Sequence, residues 1–151
     1  MKMLLQSDGW SCLPTAFAMV TDVLPLEIYE YLEHDGSEII WPELEEPYCR
    51  RSFSIEEMLD WCVAHVYYPV QLSPDPSYCP EQTDRLFQPI PDPTERWEAY
   101  LRKKPAVLLG TGQSGKPHAV AWCNKEQLIF DPVGVKYGIS DFKVESGFFI
   151  F

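Results

Sequence analysis

No apolar run in this chain approaches the roughly 18–20 residues a membrane-spanning helix needs, and Met3-Leu4-Leu5 is cut short by Gln6-Ser7-Asp8. The expectation is a chain with neither a membrane span nor a signal peptide. Positive charge is scarce: Lys and Arg number 12 against 23 Asp and Glu, for a formal net charge of −11. That balance argues against a nucleic-acid backbone or an anionic membrane as partner. Cysteines number five, an odd count without regular spacing, so a disulfide framework fits poorly and a reduced, cytoplasmic protein is expected. Paired metal ligands are lacking too. Cys62 and His65 are the one close pair, and a zinc site needs about four ligands, so neither metal nor cofactor is expected. No internal repeat is visible, and 151 residues at 46% hydrophobic suit one domain spanning 1–151.

Proline is plentiful at 14 residues, six of them between positions 73 and 93, and predicts irregular connections between short elements. Residues 1–11 read as an approach segment with a turn at Asp8-Gly9. From Cys12 to about Asp22, Leu13, Phe17 and Val20 recur at helical spacing with Ala16, Ala18 and Met19 between them. Such a helix is apolar nearly all round and should be buried; Pro14 confines its start to the neighbourhood of Cys12. Pro25 reads as an early position of a second helix, Leu26–Glu33, stopped by Gly36. Ser54-Ile55-Glu56-Glu57 reads as a capping box opening a third helix, to about His65. Val66–Leu72 reads as a strand, and Thr94 as the cap of a short helix ending near Lys103.

The last third changes period. Segments 106–110, 118–123 and 127–131 are short strand patterns, and 133–137 and 148–151 add two more. Helices first and antiparallel strands last predict an α+β fold with N-terminal helices packed on a C-terminal sheet. The glycines of Gly110–Lys116 do not make a phosphate loop, because Pro117 stands where GxxxxGK[ST] requires Ser or Thr and a helix should begin. The segment reads instead as a loop edging the substrate region beside His118. The acidic residues Glu43, Glu45 and Glu46 read as a solvated face.

A thiol at a helix N-terminus sits where free backbone N–H groups and the helix dipole favour the thiolate. Cys12 is such a thiol, and Gln6, six residues earlier, can bring an amide donor beside it. A cysteine nucleophile also needs a base and a group to orient that base. His118 opens one strand and Asp131 ends the next, so a short hairpin brings them alongside. Gln6 and the Cys12 N–H would then stabilise an oxyanion. Trp10 and Gly9, just before the thiol, are candidates to line the substrate cleft.

The Gln-x5-Cys spacing and the cysteine-led helix of Gln6–Ala16 resemble the papain-like cysteine peptidases. Pro117-His118-Ala119-Val120, followed by Leu128-Ile129-Phe130-Asp131-Pro132, resembles their C39-like branch in particular. The resemblance covers about a third of the chain and leaves its middle unassigned. It implies a papain-like fold with Cys12 as nucleophile, His118 as base, Asp131 as orienter and Gln6 as oxyanion donor. It further implies a peptide or protein substrate and thiol-mediated amide or isopeptide hydrolysis. Transglutaminase-like acyl transfer and a catalytically silent inhibitor or adaptor on the same fold are the alternatives. The transmembrane and ATPase portions of exporter-linked members are not matched, so leader-peptide cleavage is not implied.

Overall fold

The computed structural model describes residues 1–75, 93–112 and 114–151. Six strands form one antiparallel sheet: β1 (Pro69–Leu72), β2 (Ala106–Thr111), β3 (Pro117–Cys123), β4 (Leu128–Asp131), β5 (Val135–Tyr137) and β6 (Lys143–Ile150). Their order across the sheet is β1-β6-β2-β3-β4-β5. The helices are α1 (Cys12–Thr21), α2 (Pro25–Leu32), α3 (Ile55–Ala64) and α4 (Pro93–Lys103). The fold is α+β, as expected. No single helix among the described residues is long and apolar enough to cross a membrane.

Helix α1 lies against β3 and is buried on almost every side, with Ala16, Phe17 and Ala18 all 0% exposed. Its all-round apolarity is what a central helix requires, since no face meets water. Phe17 packs on Phe148 of β6, and the cluster extends through Ile28 of α2 and Met58 and Trp61 of α3. Alternation along β3 separates two cores. Ala119, Ala121 and Cys123 join the α1 side, whereas Val120 and Trp122 join a second cluster with Trp97 and Leu101 of α4. Helix α4 therefore covers the opposite face, so the sheet carries helices on both sides and not only from the N-terminal half.

Local chemistry explains most boundaries. The Ser54 hydroxyl accepts from the Glu57 N–H at 3.2 Å while the Glu57 carboxylate accepts from the Ser54 N–H at 2.8 Å, completing the expected capping box. Helix α2 opens on Pro25, the early position expected of it, and ends at Glu33 in a left-handed conformation (φ 60°), not at Gly36. Helix α4 starts at Pro93, so Thr94 lies within its first turn and not before it; proline suits that turn because its missing N–H has no partner there anyway. Strand β1 begins at Pro69, later than expected, because Val66 takes a left-handed turn (φ 63°) that the extended strand excludes. The proline-rich stretch over 76–92 lies outside the described residues.

Gly110 is required where it stands. The β2–β6 register shifts between Leu109 and Gly110, and a Cβ at Gly110 would collide with the Lys143 carbonyl oxygen. Beyond this bulge β2 ends, a turn follows, and Pro117 opens a strand and not a helix, which removes the phosphate-loop likeness structurally as well.

Candidate active site

The β3–β4 register pairs Ala121 with Phe130, which sets Asp131 opposite Val120, one two-residue repeat from His118. Diagonal neighbours of this kind are within side-chain reach, and the His118 Nε2 lies 2.8 Å from the Asp131 Oδ1. The expected pairing across the hairpin is present. Asp131 is 5% exposed, and its carboxylate accepts twice more. The Val133 N–H donates to Oδ1 at 3.0 Å, and the Tyr137 hydroxyl donates to Oδ2 at 2.6 Å.

Cys12, at the first position of α1, lies close to the His118 ring, and both face the same cleft. With Nε2 committed to Asp131, Nδ1 is the nitrogen left to face the sulfur. Burial alone would push the His118 pKa down, but Asp131 and the Cys12 sulfur more than offset this and raise it to about 9. Burial likewise pushes the Asp131 carboxyl up, and the bonds from His118, Tyr137 and Val133 outweigh it, leaving the carboxyl below its usual range. Burial, and then the same carboxylate, push the Tyr137 phenol up, so it stays a donor.

Gln6 is tied beside this group through its backbone N–H, which donates to the Pro132 carbonyl at 2.9 Å. One hydrogen of its side-chain amide goes to the Asp8 carbonyl at 2.6 Å, and its Oε1 is buried with no hydrogen-bond partner among the described residues. Ser11 makes no side-chain cap on α1, so the first N–H groups of the helix are left at the Cys12 end. All four residues singled out for chemistry thus converge on one place.

They line a cleft of about 820 Å³. Gly9 and Trp10 lie in its wall, as expected. Trp10 is pinned: its indole N–H donates to the Asp35 carbonyl at 3.1 Å, its own carbonyl accepts from the Ser52 hydroxyl at 3.0 Å, and the Arg50 guanidinium sits 5.0 Å above its ring. Much of the remaining wall comes from residues 41–52, which no motif assigned. Backbone bonds close that segment into a hairpin-like loop, Arg51 N–H to Glu38 carbonyl at 2.7 Å and Ile40 N–H to Cys49 carbonyl at 2.9 Å. Trp41, Tyr48, Arg51 and Tyr137 are among the cleft residues missed from sequence, whereas Gly112, Ser114 and Lys116 belong to the loop read there as edging the substrate region. Tyr137 alone left a trace, as an aromatic in the strand that follows Asp131-Pro132.

Among the described residues, the other thiol and imidazole groups lie outside the cleft. Cys62 is fully buried, and burial pushes its thiol up to about 12. His65 stacks on Trp61 at 4.8 Å, with its Nδ1 directed at the Trp61 carbonyl. Cys12, Cys49, Cys62 and Cys123 are all free. Comparison of the chain with family models, with curated proteins and with solved structures finds no match.

Proposed function

We propose that this chain is a papain-like cysteine peptidase, or a related amide or isopeptide hydrolase, closest to the C39-like branch. The observation that carries the reading is the His118 ring, bonded at 2.8 Å to the Asp131 carboxylate and lining one cleft with Cys12. Asp131 fixes the ring orientation and favours the imidazolium. The Cys12 thiolate attacks a substrate carbonyl carbon, forming a C–S bond while the carbonyl electrons move to oxygen. Gln6 and the N–H groups opening α1 stabilise that oxyanion. Collapse breaks the C–N bond as His118 hands its proton to the leaving amine. Water, deprotonated by His118, then attacks the thioester; the acid leaves, and the thiolate returns. A reducing compartment such as the cytoplasm suits a mechanism that depends on a free thiol.

Peptidyl vinyl sulfone labelling read cysteine by cysteine in the mass spectrometer tests this. Cys12 is expected to react at least about a hundredfold faster than the other four thiols, and His118→Ala to remove that advantage, since a positioned base contributes on this order. Comparable labelling of all five thiols, or a rate indifferent to His118→Ala, would leave the non-catalytic binding module as the better reading.

A further inference from the structure

We infer that the cleft selects an acidic peptide segment, one carrying a carboxylate side chain next to an apolar residue, with Lys116 and Arg51 reading the charge. This deepens the peptidase reading and rests on it. The chain carries a net charge of −11, yet the charged side chains lining the cleft, among the described residues, are Arg50, Arg51, Lys116, His118 and a single acid, Asp131. Asp131 is nearly buried, and its oxygens are occupied by His118, Val133 and Tyr137.

The neighbouring acids are turned to other work. Asp8 accepts from the Trp10 N–H at 3.0 Å and from the Ser7 hydroxyl at 2.8 Å. Glu46, part of the acidic run, clasps Arg50 through both carboxylate oxygens, and that arginine also donates to the Ser37 carbonyl at 2.7 Å. Arg50 is therefore neutralised and structural. Arg51 is not: its one ion pair among the described residues is a 3.3 Å contact to Glu57 Oε1, an oxygen that already meets His34 at 3.0 Å. Its side chain is 39% exposed, so turning to a substrate carboxylate gives up little. Lys116 is exposed in the turn before β3, two residues from His118, with no ion-pair partner among the described residues. A cleft that stays cationic on so acidic a surface repels basic peptides and favours carboxylates.

The apolar half of the specificity comes from large side chains left uncovered in the same wall. Trp41 and Tyr48 are 45% and 51% exposed, and Val133 and Val135 are 59% and 49% exposed. Covering them with a substrate side chain removes apolar area from water that the fold itself leaves exposed.

Three peptidyl acyloxymethyl ketones, identical but for Glu, Gln or Lys beside one leucine, test the inference through the second-order rate of Cys12 labelling. At about 0.1 M salt, where the long-range repulsion of the acidic surface is screened, the Glu probe is expected to react about tenfold faster than the Lys probe, the size of a single favourable charge contact. Lys116→Glu with Arg51→Glu is expected to reverse the order, with circular dichroism confirming the fold of these exposed-site variants. Fast labelling of Cys12 by all three probes alike, or a Lys preference in the parent, overturns the charge inference and leaves the hydrolase reading intact. A Glu preference that survives both reversals removes Lys116 and Arg51 from the role. Should Cys12 react no faster than the other thiols with any probe, the hydrolase reading falls and this inference with it.

Discussion

Asp131 holds three donors on two oxygens while almost wholly removed from water, which leaves it one chemical state and one orientation. A carboxylate so constrained can act on its neighbour in a defined way: it holds the His118 ring in place and stabilises its positive charge. His118, raised to about 9, is thus imidazolium at neutral pH and loses its proton only as pH climbs past that value. Proton donation to a leaving amine should then fail on the alkaline side, above about 9. Asp131→Asn removes the charge but keeps the shape. The imidazole resonance of His118 is expected to titrate near 9 in the parent and to move down toward the ordinary 6.5 in this variant, with Cys12 labelling at pH 7 slowed about tenfold or more. An unmoved midpoint would mean that the 2.8 Å contact does not set the His118 charge.

Helix α1 has two duties: its N-terminal end presents Cys12 and its body fills the core. Rigidity of the nucleophile follows from the second duty, since a helix buried all round cannot slide without opening a cavity. Phe17→Ala is expected to cost about 3–5 kcal/mol in urea unfolding, because the ring is wholly buried against Phe148 and little can collapse into the space. A loss under about 1 kcal/mol would show that the site rests on something other than this packing. Elements of this kind were open to reading from sequence. Periodicity revealed α1, Ser54 with Glu57 revealed α3, and the strand run with Asp131-Pro132 revealed the hairpin that joins His118 to its carboxylate. The placement of α4 was not readable: Trp97 and Leu101 mark an apolar face without saying which side of the sheet it meets. The cleft wall over 41–52 was hidden for a different reason. Its shape comes from backbone bonds such as Arg51 to Glu38, which leave no side-chain pattern, and so Arg51 and Tyr48 gave no local sign of facing Cys12.

Charge has to be considered over the entire surface as well as in the cleft, because the two have opposite sign and different range. An acidic substrate approaching from bulk meets the repulsion of a net −11 body before it meets Lys116 and Arg51. Screening separates these effects, since the Debye length is about 30 Å at 0.01 M salt, about 10 Å at 0.1 M and about 3 Å at 1 M. Raising salt from the lowest value should first suppress the long-range repulsion and leave the short cleft contacts largely intact. Only at higher salt are those contacts weakened too. Labelling of Cys12 by the Glu probe is therefore expected to rise between about 0.01 M and 0.1 M salt and to decline toward 1 M, giving a maximum, whereas the neutral Gln probe should vary little over the same series. With Lys116→Glu and Arg51→Glu the descending limb should vanish, because no local attraction remains to be screened. A rate that falls steadily from the lowest salt would mean that the cleft field dominates even at a distance, and one that only rises would mean that the cleft contributes no attraction at all.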